Sequence, residues 1–251
     1  EDSIFLNLVK GEREHENYGI THTIPYILVD EKLRKEIMSN YSSIDRAGKE
    51  GYLRPVISLG MSPLANNLLN SQYPLEMMYC PESHNCQLSY IVPKEKMFDH
   101  YLYVSSTTKS FRDHFKNAAK KYISNFNLDS NSFIVDIGSN DGVALVPFKE
   151  KNINVLGVEP AKNICDIANE KNINTINSYF NIDVAKDIIK SYKYADIVTA
   201  SNVFAHSNNL EEIAKAAFEL LKKDGVFIIE VQYLLDTIKD LTFDNIYHEH
   251  V

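Results

Sequence analysis

From Ser132 onward, short runs of β-branched and apolar residues alternate with stretches of helical period, and this alternation restricts the fold more than any other feature. "SFIVDIG" (132–138) is almost unbroken apolar sequence, as in a strand buried on both faces. "GVALVPFKEKN" follows as a short helix limited by Pro147, then "VLGVEP" as a second strand and "AKNICDIANEKN" as a helix. "INTINSYF", "DVAKDIIKSY" and "ADIVTASNV" read as strand, helix, strand. "LEEIAKAAFELLKKDG" predicts a helix closed by Gly225, and "VFIIEVQ" a fifth strand. Such alternation predicts βαβ units, hence a mostly parallel, doubly wound α/β sheet with helices on both faces.

Ahead of this region, "SSTTKSFRDHFKNAAKKYISNF" places Phe111, Phe115, Ala118, Ala119 and Tyr122 on one helical stripe. Residues 1–104 have no dominant period. Their strand-like pieces ("YLRPVISLG", "LEMMYC", "CQLSYIVP"), split by Pro, Asn and Ser, predict a small N-terminal α+β domain before a second domain at 105–251. The net charge is −8, with Lys and Arg scattered, which argues against a nucleic-acid partner. No apolar run approaches the ~18 residues of a membrane span, and the first residues lack a signal-peptide pattern. Three cysteines cannot build a disulfide framework. The expectation is a cytoplasmic protein without a membrane partner.

"DIGSNDG" carries Asp136, Gly138, Asn140, Asp141 and Gly142 directly after the first buried strand, where doubly wound sheets bind ligands. It is neither the G-x-G-x-x-G loop of dinucleotide enzymes nor a P-loop. Glu159 ends the second strand about 20 residues on from Gly138, where a carboxylate accepts hydrogen bonds from ribose hydroxyls. A nucleoside-recognising acid without a diphosphate cradle suits S-adenosylmethionine as the cofactor.

Residues from about Ser58 to the end resemble the S-adenosylmethionine-dependent sugar C-methyltransferases, which act on nucleotide-linked deoxysugars. The resemblance rests on "LGMSPLANNLL", "YPLEMMYC", "YLYVSSTTKSFRDHF", "VDIGSNDGVAL", "GVEPAKNI", "ADIVTASNVFAH", "DGVFIIEVQYLLD" and "FDNIYHEH". It implies a Rossmann-like class I methyltransferase fold. On that fold Asp136, Gly138 and Gly142 frame the methionine part of the cofactor and Glu159 holds the ribose. Asn202 lines the same cleft, and Asn177 with Ser178 reaches toward the adenine. His206, Gln232 and Tyr233 fall where an acceptor is met, and Tyr103 on the small-domain side reaches over it. In the "YHEH" segment the resemblance makes His250 the general base, Tyr247 a donor to the substrate and Glu249 an orienting contact. As an extended segment, His248 and His250 would point the same way, but no third metal ligand is evident.

This sequence departs from the family in two places. Members bind zinc in the small domain through two Cys-x-x-Cys pairs; here Cys80 pairs with Ser83, Cys86 is displaced, and residues 1–57 contain no cysteine. No metal is therefore expected. Class I methyltransferases also complete the sheet with two strands after the fifth, and the sugar C-methyltransferases add a C-terminal domain, whereas only 20 residues follow Val231. The sheet would then be finished by the N-terminal segment or by another subunit of a homo-oligomer, unless the chain is trimmed. The expected acceptor is a small, polar, nucleotide-linked metabolite of surface-glycan or deoxysugar synthesis. O-methylation of a sugar or phosphate-type group, as in capsule modification, and a non-catalytic cofactor-binding subunit are the alternatives.

Overall fold

The computed structural model describes residues 5–7, 23–25, 45–47, 52–65 and 67–250. The chain divides into two compact units, residues 94–236 and residues 1–93 together with 237–251.

The larger unit is built on five parallel strands: β6 (Phe133–Ile137), β7 (Asn154–Glu159), β8 (Thr175–Asn177), β9 (Ala195–Ser201) and β10 (Leu221–Glu230). Their spatial order is β10-β9-β6-β7-β8, the doubly wound arrangement that reverses beside β6. Alternation along β6 sorts its side chains. Phe133, Val135 and Ile137 join one buried cluster with Leu156, Val158, Ile188 and Val198, while Ile134 joins Ala119, Leu145, Phe148 and Ile197 in another. Between the strands run α3 (Val146–Lys149), α4 (Lys162–Glu170), α5 (Ile182–Ser191) and α6 (Leu210–Leu220). Asn181 caps α5 by accepting from the amides of Asp183 and Val184.

The stripe beginning at Ser105 forms a 3-10 turn (Ser105–Thr107) and then α2 (Lys109–Asn125), capped by the Thr108 hydroxyl and burying Phe115 and Ala119. One boundary moves. Helix α6 stops at Leu220, and Gly225 belongs to an irregularity in β10 between the Leu221–Ala195 and Val226–Ile197 pairings. A Cβ on Gly225 would lie 3.0 Å from the carbonyl oxygen of Ala195, so the residue serves close strand packing rather than helix termination.

The smaller unit contains an antiparallel sheet of β3 (Arg54–Leu64), β4 (Asn67–Tyr79) and β5 (Cys86–Leu88), and the short pair β1 (Phe5–Asn7) and β2 (Thr23–Pro25). Tyr73 and Tyr90 stack inside it at 5.6 Å between ring centroids. The units part near residue 93 instead of 104. Helix α1 (Lys94–Phe98) and the segment to Ser106 join the larger unit through hydrogen bonds to loops of the parallel sheet.

Candidate active site

In the larger unit, polar side chains gather at the carboxyl ends of β6 and β7. Asp136 is buried, and the Thr199 hydroxyl donates to its Oδ1 at 2.6 Å. Burial pushes the Asp136 carboxyl up to about 7; the Thr199 bond pulls down and the Glu159 charge adds to the rise. Glu159 accepts from the amide of Ala161 at 2.8 Å through Oε1 and from that of Asn140 at 2.9 Å through Oε2. Burial raises Glu159 as well, against those two bonds. Two carboxyls held in a partly dehydrated cleft favour a cationic, hydroxyl-bearing ligand.

The loop between them takes its shape from backbone. Gly138 has φ +61° and Gly142 φ +81°, and Asn140 takes the same left-handed region at 49°. A Cβ on Gly138 would stand 2.5 Å from a Val203 methyl, and one on Gly142 2.9 Å from Ile173. Both glycines answer to the protein's own packing as well as to the turn.

Residues 94–108 form a strap whose contacts fall on the four segments that directly follow β6, β7, β8 and β9. Asn140 accepts from the Ser105 amide at 2.9 Å and donates to the Tyr103 carbonyl at 3.1 Å. Asn163 donates to the Tyr101 carbonyl at 2.7 Å and accepts from its amide at 3.3 Å. The Tyr179 hydroxyl donates to Asp99 at 2.8 Å, and His206 stacks on Phe98 at 5.6 Å. Tyr103 lies edge-on to Tyr101 and Phe111, and the residue is 39% exposed. Asn202, also left-handed, is exposed at the end of β9 and its amide donates to the Glu230 carbonyl. Gln232 and Tyr233 follow β10 and are exposed.

Two expected ligand contacts are already engaged by protein. The Asn177 amide donates to the carbonyls of Glu159 and Pro160, at 3.0 and 2.7 Å, and so ties β8 to β7. The Ser178 hydroxyl donates to the Tyr179 carbonyl. Asp141 is fully buried, paired with Lys171 and accepting from the Ser106 amide. Thr199, Asn163, Lys171 and the 3.0 Å His114–Glu230 pair were not anticipated. Of these only Thr199 carries a sequence signal, a hydroxyl inside an apolar strand.

The histidine-rich segment belongs to the smaller unit. It is a turn instead of an extended run: the His250 amide donates to the Tyr247 carbonyl at 3.1 Å. The two histidine rings are used differently. His248 is buried, edge-on to Tyr73, with Nε2 donating toward the carbonyls of Tyr73 and Pro74 at 3.3 and 3.2 Å. His250 lies 4.2 Å from the Tyr247 ring, and its Nδ1 is 3.2 Å from the Asn245 carbonyl. A carbonyl only accepts, so Nδ1 carries the hydrogen and Nε2 is the basic nitrogen of the neutral ring. Burial pushes both histidines below the ordinary value of 6.5, against the carbonyl bonds. Glu249 is buried beside them.

A parallel sheet in this order, with a glycine loop after the first strand and an acid after the second, defines the class I methyltransferase fold. The chain belongs to the methyltransferase-domain family, whose model, described as "Methyltransferase domain", matches residues 109–251. A second model, described as "Putative zinc binding domain", matches residues 46–98. The C-methyltransferase NovU of Streptomyces niveus is 32% identical over 203 residues, 78% of this chain and 48% of that protein. The chain thus spans about half the length of this curated relative. A SAM dependent methyltransferase from Archaeoglobus fulgidus is similar at 25% identity and TM-score 0.38, over 46% of this chain and 51% of that one. An S-adenosylmethionine-dependent methyltransferase from Clostridium acetobutylicum ATCC 824 is similar at 17% identity and TM-score 0.42, over 54% and 56%.

S-adenosylmethionine, the cofactor of this class, fits the larger unit: Glu159 suits the ribose hydroxyls, and the raised Asp136 carboxyl suits a cationic ligand. Zinc does not fit the described part of the smaller unit. Cys80 is buried against Leu53 and Met78 with its thiol donating to Glu82, and Cys86 lies on β5 across from Tyr79. At Ser83 a hydroxyl replaces a thiolate, and it helps hold Asp45 below the usual carboxylate range against the opposing effect of burial. Among the described residues no three His, Cys, Asp or Glu side chains converge as ligands, whereas a structural zinc site needs four.

Proposed function

We infer that the chain is the catalytic part of an S-adenosylmethionine-dependent C-methyltransferase acting on a small, nucleotide-linked keto-sugar. The His250 turn carries this reading most directly: a neutral imidazole with Nδ1 fixed on a carbonyl is the form a general base requires. Similarity to a C-methyltransferase over 203 residues supports the choice of carbon over oxygen.

When bound, S-adenosylmethionine supplies an electrophilic methyl group on its sulfonium. The chain's own residues orient and deprotonate the acceptor. His250 Nε2 takes a proton from the carbon beside the ketone, and the Tyr247 hydroxyl donates to the ketone oxygen as it gains charge. Glu249 positions the turn. Glu159 accepts from the ribose hydroxyls, and the strap keeps water from the cleft. In the larger unit, Asn202, His206, Gln232, Tyr233 and Tyr103 are assigned to contacts with the acceptor. Such an enzyme works where nucleotide sugars are made, in the cytoplasm.

The test is incubation of the chain with a donor carrying a carbon-13 methyl group and nucleotide-linked 4-keto-deoxysugars. A product whose labelled methyl resonates as a carbon-bound methyl supports the reading. A methoxyl signal would replace it with O-methylation, and no transfer to any keto-sugar would reject the acceptor class.

A further inference from the structure

We propose that Lys171 is a positioning residue for the cofactor, acting as a latch that fastens the strap 94–108 to the glycine loop. The proposal rests on the cofactor reading above. The Lys171 ammonium pairs with the carboxylate of Asp141 and reaches the Ser106 hydroxyl at 3.1 Å. Asp141 has no exposed side-chain surface, whereas Lys171 retains 42%. Ser106 closes the triangle, because its amide donates to the other Asp141 oxygen at 3.3 Å. One loop carboxylate and one strap serine are thus held by a single cation from the end of α4, 30 residues further along the chain.

A buried carboxylate stripped of its partner is strongly unfavourable and moves or takes up a proton. The loop offers little slack for such movement. Asn140, adjacent to Asp141, donates its amide to Glu159 and fixes the strap at Tyr103 and Ser105. Displacing Asp141 therefore shifts Asn140, and with it both the acid suited to the ribose and the segment that crosses the cleft. The Lys171 ammonium bonds to Asp141 and Ser106 and not to Asp136 or Glu159, the carboxylates assigned to the cofactor's methionine and ribose portions. Its influence on binding passes through the latch. Asp141, in turn, acts as the strap's anchor.

The experiment uses the whole chain with Lys171→Met, Lys171→Arg and Asp141→Asn. Hydrogen exchange without ligand should show the Ser105 and Ser106 amides losing protection in Lys171→Met, while the β6 amides keep theirs. Calorimetry with S-adenosylhomocysteine should show affinity weakened by about tenfold or more in Lys171→Met, and recovery to within about threefold of wild type in Lys171→Arg. Asp141→Asn should loosen the same amides if Lys171→Met proves too unstable to purify. Unchanged exchange at Ser105 and Ser106 in both charge-removing variants would overturn the latch. Unchanged affinity in a Lys171→Met protein with a loosened strap would overturn its role in positioning the cofactor. No binding by the wild type would instead sink the cofactor reading and leave the exchange result to judge the latch by itself.

Discussion

Replacing Asp136 with Asn should stabilise the ligand-free protein in mild alkali and destabilise it slightly in acid. The ordinary aspartate value is 3.8, and burial lifts this carboxyl to about 7 in the folded chain. Between those values the folded state holds a proton that the unfolded state has lost, so stability falls as pH rises from about 4 to about 7 and then levels off. A displacement of roughly three pH units at 1.36 kcal/mol each makes the ionised carboxylate cost on the order of 4 kcal/mol at pH 8. Asn keeps an acceptor for the Thr199 hydroxyl but adds amide hydrogens that need partners, a penalty of about 1 kcal/mol. The net expectation is a gain of roughly 3 kcal/mol at pH 8 and a loss of about 1 kcal/mol at pH 3.5, below the ordinary aspartate value. Urea unfolding followed by far-ultraviolet circular dichroism at both pH values measures the crossing. Equal stability of the two proteins at pH 8, or a variant weaker there, would refute the placement of an uncompensated carboxyl at that position. The same variant should bind S-adenosylhomocysteine less well, since stability is given up here to keep a charge ready for a cationic ligand.

His250→Gln should lower turnover by ~100-fold or more while leaving S-adenosylhomocysteine affinity unchanged; equal turnover would remove His250 as the base. Because burial holds the His250 ring below its ordinary value, the acidic limb of the rate profile should lie below pH 6.5 and disappear in that variant. His248 and His250 are both displaced downward, so their contribution to the smaller unit's stability is complete above 6.5 and is lost as pH falls below it. Gly138→Ala combines a left-handed backbone with a Cβ only 2.5 Å from a Val203 methyl and should cost roughly 2–5 kcal/mol, read as a lowered unfolding midpoint. The purified chain should carry sub-stoichiometric zinc by elemental analysis, and a chelator should leave its melting temperature unchanged; stoichiometric zinc would contradict the reading of the donor set.

The parallel sheet was legible because strands buried on both faces write long apolar runs, and β6, β7 and β9 each stand between helical patterns. Glu159 was legible for a topological reason, since its spacing from Gly138 follows from one βαβ crossing. The end of α6 was not, because "LLKKDG" continues a helical pattern while pairing with Ala195 pulls Leu221 into the sheet. Nor was the strap. It is held chiefly by side chains bonding the backbone of Tyr101, Tyr103 and Ser105, and a backbone group has no signature in sequence. The tail shows the same limit. "YHEH" reads equally well as extended, and only the carbonyls of Tyr73, Pro74 and Asn245 show that His248 bonds through Nε2 and His250 through Nδ1.

Calorimetric titration of the purified chain with S-adenosylhomocysteine, beside Glu159→Ala, tests the central claim most directly. The proposed assignment of Glu159 to the ribose predicts one site per chain, with affinity weakened about tenfold or more once that carboxylate is removed. A wild-type chain that binds no S-adenosylhomocysteine, or binds it with an affinity indifferent to Glu159, would contradict the assignment of this cleft to a methyl donor.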